Sequence, residues 1–503
     1  MSLRSFRDRI GRIGSWLVSL VLRRPGDWLP SRLFGLRPGY VEQSGMLILT
    51  DIEPGDEPGI QAALLWRLDK IRDRLINYQQ NKQRLSFWKT ETVHYAAWML
   101  LPGVEDENDQ CRLAVPARLA LETNYDGCLK DHLQDLVNNC QKELDEVYEF
   151  FPGYPPPGSA KASVKDFLYA GYQETTRWVD WSAYFNALPG RSLADINNAL
   201  AVYYDAKEFV GAPANRNNDP KTIRHALRDH FRSMLKGAPK KPERFPITQK
   251  GIRWLFATNM AVLLLLLPIA LLYLIRWGVI NVIARYFEWK EGREELFDTT
   301  RHKAEYAHLD LGRQNHLCTY TTIIPSSFRR YVIRRTLWLG SVLFNYFFIL
   351  GRLDQIGTIH FGRWTLIGDQ LLFYGNYDGS WSNYLTDFSD EAWGVNLVWS
   401  NTIGFPPTRF IVARGARDLE GFQAQAAEHY APAPVFYSAY RTHSLVDLMR
   451  YLEFRDEMLE EMRPRGRVRQ CLWDLRSRNS YEHRKDRAAG EPRGYSGNRS
   501  KRL

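Results

Sequence analysis

The chain has 503 residues, 45% of them apolar and 25% charged, the composition of an ordinary globular protein with room for about two to four domains. Its net charge of +10 is concentrated from Arg463 onward, where 13 Lys/Arg stand against four Asp/Glu, so the body is close to neutral. The five cysteines (Cys111, Cys128, Cys140, Cys318, Cys471) are scattered and lack Cys-x-x-Cys spacing, which argues against a disulfide framework or a zinc site and fits a reducing compartment.

Residues 1–24 place Leu3, Phe6, Ile10, Ile13, Leu17 and Leu20 at steps of three and four, with Arg4, Arg7, Arg9 and Arg12 interleaved. The spacing predicts a basic amphipathic helix, either lying on an anionic membrane surface or packed on its own domain. Residues 45–235 read as a strand (45–52), a helix (58–80), strands 92–101 and 117–125, a helix (128–148) and a short strand near 147–151. That order is ferredoxin-like. An appended segment follows the prolines at 155–157, with a strand near 177–185 and a helix from Ser192.

The stretch 251–287 is the membrane candidate. Trp254 to Ile275 is uncharged and long enough to span a bilayer, and both flanks are basic. Pro268 near its centre favours a helical hairpin that enters and leaves one leaflet, which puts both halves of the protein in the cytoplasm. Residues 316–461 then repeat the first order: strand 316–324, helix 326–351, strands 357–367 and 370–377, helix 380–393 and strand 395–401. A helix near 418–429, strand 434–440 and helix 444–461 complete it. The basic tail, 463–503, has no apolar period and is expected to be disordered, meeting anionic lipid rather than nucleic acid. A protein partner is left unspecified.

The two ordered regions also share blocks of sequence. Asn124-Tyr125-Asp126-Gly127 recurs as Asn376-Tyr377-Asp378-Gly379, and Thr92-Val93-His94-Tyr95 with Trp98 matches Thr358-Ile359-His360-Phe361 with Trp364. Thr50 to Pro54 matches Thr321 to Pro325, and Gly153-Tyr154-Pro155-Pro156 matches Gly404-Phe405-Pro406-Pro407. Ser182-Ala183-Tyr184 matches Ser438-Ala439-Tyr440. Five blocks in one order imply an internal duplication, and hence an α+β fold of two ferredoxin-like units packed as a pseudo-dimer around a membrane-inserting segment.

Chemistry is best sought in the second unit, where His360, Arg363 and Asp378 offer an acid/base, a fixed cation and a carboxylate. The first unit has Ala97 in place of Arg363. Strict alternation sets His360 and Arg363 on opposite faces unless a bulge at Gly362 re-aims one. The competing reading is local structure: Asn124, Asp126, Asn376 and Asp378 suit a tight strand-to-helix turn, and His94 and His360 suit hydrogen-bonded core positions. Asn401 and Arg409 are weaker candidates.

Gly375-Asn376-Tyr377-Asp378-Gly379 resembles the Gly-x-x-Asp-Gly motif of dye-decolourising peroxidases, members of the dimeric α/β-barrel superfamily. The resemblance implies haem as cofactor, with Asp378 as distal acid, Arg363 as its partner, and His429 or His443 as proximal ligand by position. The first unit has Thr123 where the motif begins with Gly, and the family's Arg follows the motif whereas Arg363 precedes it. Ile359 to Trp364 and Asn376 to Trp381 are also similar to a bacterial group of membrane-associated proteins, a likeness that carries no activity. Two functions follow: a membrane-associated binding or scaffold module, or a haem-dependent peroxidase-like oxidoreductase.

Overall fold

The computed structural model describes residues 43–52, 57–76, 89–106, 109–173, 182–213 with 215, 219–234, 313–346, 356–391, 394–410 and 413–461, and a few positions between 275 and 286. The amphipathic stretch 1–24, the tail 463–503 and nearly all of the membrane candidate lie outside the described residues. Among the described residues, no helix is long and apolar enough to cross a membrane.

In chain order the elements begin β1 (Gln43–Asp51), α1 (Glu57–Ile76), β2 (Val93–Leu101), a hairpin of β3 (Val104–Asp106) and β4 (Asp109–Val115), and β5 (Arg118–Asp126). Then come α2 (Leu129–Tyr148), α3 (Lys161–Ala170), β6 (Tyr172–Gln173), β7 (Ser182–Asn186), α4 (Leu193–Gly211) and α5 (Pro220–Met234). The later part has β8 (Gln314–Thr322), α6 (Ser327–Tyr346), β9 (Ile359–Ile367), β10 (Gln370–Asp378), α7 (Trp381–Glu391), α8 (Val395–Trp399) and the short strands β11 (Thr408–Phe410) and β12 (Ala413–Arg414). It ends with α9 (Leu419–Glu428), β13 (Val435–Ser438) and α10 (Leu445–Glu461).

The fold is α+β with two main antiparallel sheets. Sheet one has the order β13-β2-β5-β1-β6 and sheet two the order β7-β9-β10-β8. Each contains a strand from the other part of the sequence: β13 pairs with β2 and β7 with β9. One face of sheet one is covered by α1, α2 and α3. The buried positions Leu133, Leu136, Val137, Cys140, Leu144 and Val147 recur at steps of three and four along α2, which is why that stretch is a helix with one apolar stripe. Trp98 and Leu121 of sheet one and Leu64 and Leu68 of α1 belong to the same core.

Two predicted strands are absent. Residues 147–151 end α2 and turn, because Pro152 has no N–H to give a ladder and Gly153 takes φ +80°. The edge beside β1 is filled instead by the two residues of β6. Residues 395–401 carry strand-forming side chains but are helical at α8. Asn396 donates to Arg414 O and accepts from the Ala416 N–H (2.9 Å), and Asn401 Nδ2 donates to Leu397 O (2.9 Å), so neighbouring backbone groups hold the helical turn. The hairpin β3–β4 and helix α3 have no counterpart in the sequence reading.

The chain divides into two compact units. One takes the described residues up to Ala194 and those from residue 242 to Asp447; the other takes Asp195 onward through α5 and Leu448 onward through α10. Both sheets belong to the first. Within the second, buried Arg455 binds Asp195 and, at 2.8 Å, Asp456, and Tyr203 packs on Tyr451 with ring centroids 4.2 Å apart.

Candidate functional site

All seven candidate polar residues lie in the unit of the two sheets, and they form three clusters. The first is His94, Asp126 and their partners. In β2, Val93 faces Tyr125 and Tyr95 faces Asn124, so His94 is the extra residue of a β-bulge. Its Nε2 hydrogen-bonds Asp126 Oδ1 (2.9 Å) and its Nδ1 hydrogen-bonds the Tyr440 hydroxyl (3.0 Å). Burial, with the Asp126 charge nearby, holds the Tyr440 phenol well above its ordinary range, so it keeps its proton. The other Asp126 oxygen accepts the Leu193 N–H (2.6 Å) at the start of α4, where the helix dipole favours a carboxylate.

The second cluster repeats these contacts at the other sheet except for the tyrosine hydroxyl, whose place is taken by Leu188. Ile359 faces Tyr377 and Phe361 faces Asn376, so His360 is again the bulged residue. Its Nε2 donates to Asp378 Oδ1 (2.8 Å), and Asp378 Oδ2 accepts the Leu445 N–H (2.6 Å) at the start of α10. Asp126 N donates to Thr92 O and Asp378 N to Thr358 O at 3.0 and 2.9 Å, and Gly127 and Gly379 follow with φ +90° and +88°. Both glycines occupy the left-handed region, which only glycine adopts without strain.

These clusters fasten the exchanged strands. After β7, Ala187 N donates to His360 O in sheet two; Gly190 N then donates to Gln43 Oε1, Gln43 Nε2 to Arg191 O, and Leu193 N to Asp126. The loop 187–193 is thereby tied to both sheets. After β13, Ala439 N donates to His94 O in sheet one, Gln314 Nε2 to His443 O, and Leu445 N to Asp378. The register makes Asn186 and Ser438 counterparts, since they face Phe361 and Tyr95 and bind Gln43 and Gln314. The sequence match of Ser182 to Ser438 is therefore four residues out of step.

The third cluster lies between the sheets and is not repeated. Asn124 Nδ2 donates to Asn376 Oδ1 (3.2 Å) and to Glu122 Oε1 (2.8 Å). Arg363 reaches across sheet two to sheet one, donating to Asn124 Oδ1 (3.0 Å) and to Tyr374 Oη (2.7 Å) with its guanidinium over the Tyr184 ring. His316 donates to Glu122 Oε2 (2.9 Å). A Cβ on Gly45 would stand 1.1 Å from Arg363 Nη2, so glycine is what leaves room for the guanidinium. The positions that correspond to these in the other sheet by register are Ala97 for Arg363, His316 for Gly45 and Tyr374 for Glu122.

The bulge corrects the predicted facing. It falls at His360 rather than Gly362, and it brings His360 onto the face that carries Phe361 and Arg363. Tyr95 of sheet one packs against both His360 and Phe361. Trp364 faces the other way, onto Phe373 and Trp399. Yet Arg363 and Asp378 are not a pair. Arg363 stands opposite Tyr374, and Asp378 is four residues further along β10, roughly 13 Å at about 3.3 Å per residue.

Haem does not fit this arrangement. The Asp378 oxygens and the Arg363 Nη atoms are engaged by protein groups, and the space between the sheets holds the rings of Tyr95, Phe361, Phe436, Tyr184 and Tyr440, with centroids 5.4–6.1 Å apart. Of the two histidines placed as proximal ligands by position, His429 ends α9 with Nδ1 bonded to Gln425 O (3.0 Å), a bond that does not engage Nε2, and His443 precedes α10. The first glycine of the motif has a packing reason. A Cβ on Gly375 would lie 3.1 Å from the hydroxyl of Tyr384, which stacks on Tyr377 at 3.9 Å. In the other half, Thr123 bonds His132 (2.7 Å), which stacks on Tyr125 at 3.8 Å. Small-with-large and Thr-with-His fill the same place in two ways.

Sequence reasoning missed Gln43, Gln314, Glu122, His316 and Gly45. A signal existed: Gln43 and Gln314 stand seven residues before Thr50 and Thr321 of the matched blocks. Asn401 caps α8, as described above. Comparison with family models, with curated proteins and with solved structures finds no match to this chain.

Proposed function

We propose that this chain is a membrane-associated binding or scaffold module made of two ferredoxin-like units fused as an intramolecular pseudo-dimer. The order β6-β1-β5-β2 in sheet one corresponds to the ferredoxin-like order of strands, and β8-β10-β9 supplies three of the four in sheet two. One observation carries the non-catalytic reading. Both histidines are buried, and each His–Asp pair holds the N–H at the start of a helix, so that each fixes the loop that follows a strand exchanged between the sheets. Groups committed twice over to joining backbone segments act as fasteners, and burying unpaired polar atoms there would be costly. The membrane part of the proposal rests on the uncharged run Trp254–Ile275 and its basic flanks.

The test is a haem titration of the purified full chain, alongside Asp126→Ala and Asp378→Ala. Expected are no Soret band and equal destabilisation of the two variants. A stoichiometric Soret band abolished only by Asp378→Ala would overturn the scaffold reading and restore the oxidoreductase.

A further inference from the structure

We infer that the helical positions described between Ile275 and Tyr286 carry a lipid-contacting apolar stripe that lies in the plane of an anionic bilayer and seats the two-sheet unit on it; this rests on the membrane reading above and specifies its surface. The described positions here are helical, and Ile275, Val279, Val282, Ile283 and Tyr286 are all exposed. At about 100° per residue these five fall within an arc of roughly 100°, the width of one apolar stripe. Ile280 lies off that stripe and is buried against Val332 of α6 and Leu397 of α8, and Arg276 stacks over Tyr331 at 5.3 Å. One edge is thus bound to the protein while the apolar edge is left outward.

Two features identify bilayer lipid as the occupant. The stripe continues directly from the uncharged run Trp254–Ile275, which is long enough to span a bilayer. Beside it Arg276 and Arg335 both stand over the Tyr331 ring, at 5.3 and 5.5 Å, a setting complementary to anionic headgroups. A helix crossing the bilayer would carry its depth along its length, whereas an in-plane helix holds one depth on one face.

The experiment labels single cysteines with an environment-sensitive fluorophore in the full chain, with Cys111, Cys128 and Cys471 replaced by Ser and buried Cys140 and Cys318 retained. Labels go at Val279, Val282 and Tyr286, with Tyr169 of α3, exposed, as control. Vesicles contain phosphatidylcholine and phosphatidylglycerol, with spin-labelled lipids for depth. Flotation with the vesicles, blue-shifted emission at all three positions and equal shallow depth, with Tyr169 unchanged, is the expected result. Flotation with the three labels still in water overturns the surface and leaves membrane association standing. Depth that rises steadily from 279 to 286 overturns the in-plane geometry. Blue shift without vesicles, together with cross-linking between copies, assigns the stripe to a second molecule instead. Failure to float overturns both this inference and the membrane reading.

Discussion

The ends of the inter-sheet region and its middle follow different rules. At the ends, His94–Asp126 and His360–Asp378 repeat one another down to the bulge, the helix-start N–H they bind and the left-handed glycine after them. In the middle, Gly45, Ala97 and Glu122 stand where the other sheet has His316, Arg363 and Tyr374, and there the likeness stops. Contacts that close a loop onto a sheet are needed wherever such a loop occurs, so they stand at both ends. The middle is needed once, and a single chain can place a cation on one side and a carboxylate on the other. A symmetric homodimer would present both charges twice at its axis.

The largest expected effect comes from the unrepeated middle. Arg363→Ala leaves the Glu122 carboxylate without its bridged cation and strips donors from Asn124 and Tyr374, so stability should fall by about 3–5 kcal/mol in urea unfolding. A loss under about 1 kcal/mol would show the network to be incidental. Gly45→Ala should cost somewhat less, about 1–3 kcal/mol, by displacing the guanidinium. In an Arg363→Ala background the same change should cost almost nothing, and additive losses would mean that the two positions are not coupled.

The repeated ends should behave as a pair. Asp126→Ala and Asp378→Ala each remove the acceptor for a helix-start N–H and for a histidine, at about 1–3 kcal/mol, and the two values should agree within about 0.5 kcal/mol. Unequal losses would assign one end a duty the other lacks.

The smallest effect separates His132 from Tyr384. Burial pushes the His132 pKa down to about 3, well below the ordinary imidazole value of about 6.5. The unfolded chain therefore takes up this proton first. The stability it contributes is complete above pH 6.5 and declines as pH falls toward 3, by about 1 kcal/mol between pH 7 and 5.5. The double substitution Thr123→Gly/His132→Tyr copies the Gly375–Tyr384 pair and should flatten that acid limb of the stability profile. An unchanged slope would mean that other groups set it.

Most elements were legible because their periods are strong: α2 and α7 as apolar stripes, and β1, β2, β5, β8, β9 and β10 as apolar runs ended by turn residues. The failures have local causes. Val395 to Trp399 has strand-forming residues but is held helical by the Asn396 side chain, and a strand after Tyr148 is prevented by Pro152 and Gly153. The candidate residues were also legible as types, since histidine, asparagine and aspartate recur at matched places. Their partners were not, because Gln43 and Gln314 stand far from them along the chain.

What the sequence determined by itself was therefore most of the main strands and helices, the recurring sequence blocks and the types of the polar residues within them, all of which depend on near neighbours or on recurrence. Only the tertiary structure decided that β7 and β13 change sheets, that the bulge lies at His360, and that Arg363 belongs with Asn124 rather than Asp378. Each of those depends on which strand lies beside which. One residue of register reverses every side chain on a strand, and no local pattern fixes the register between segments more than two hundred residues apart.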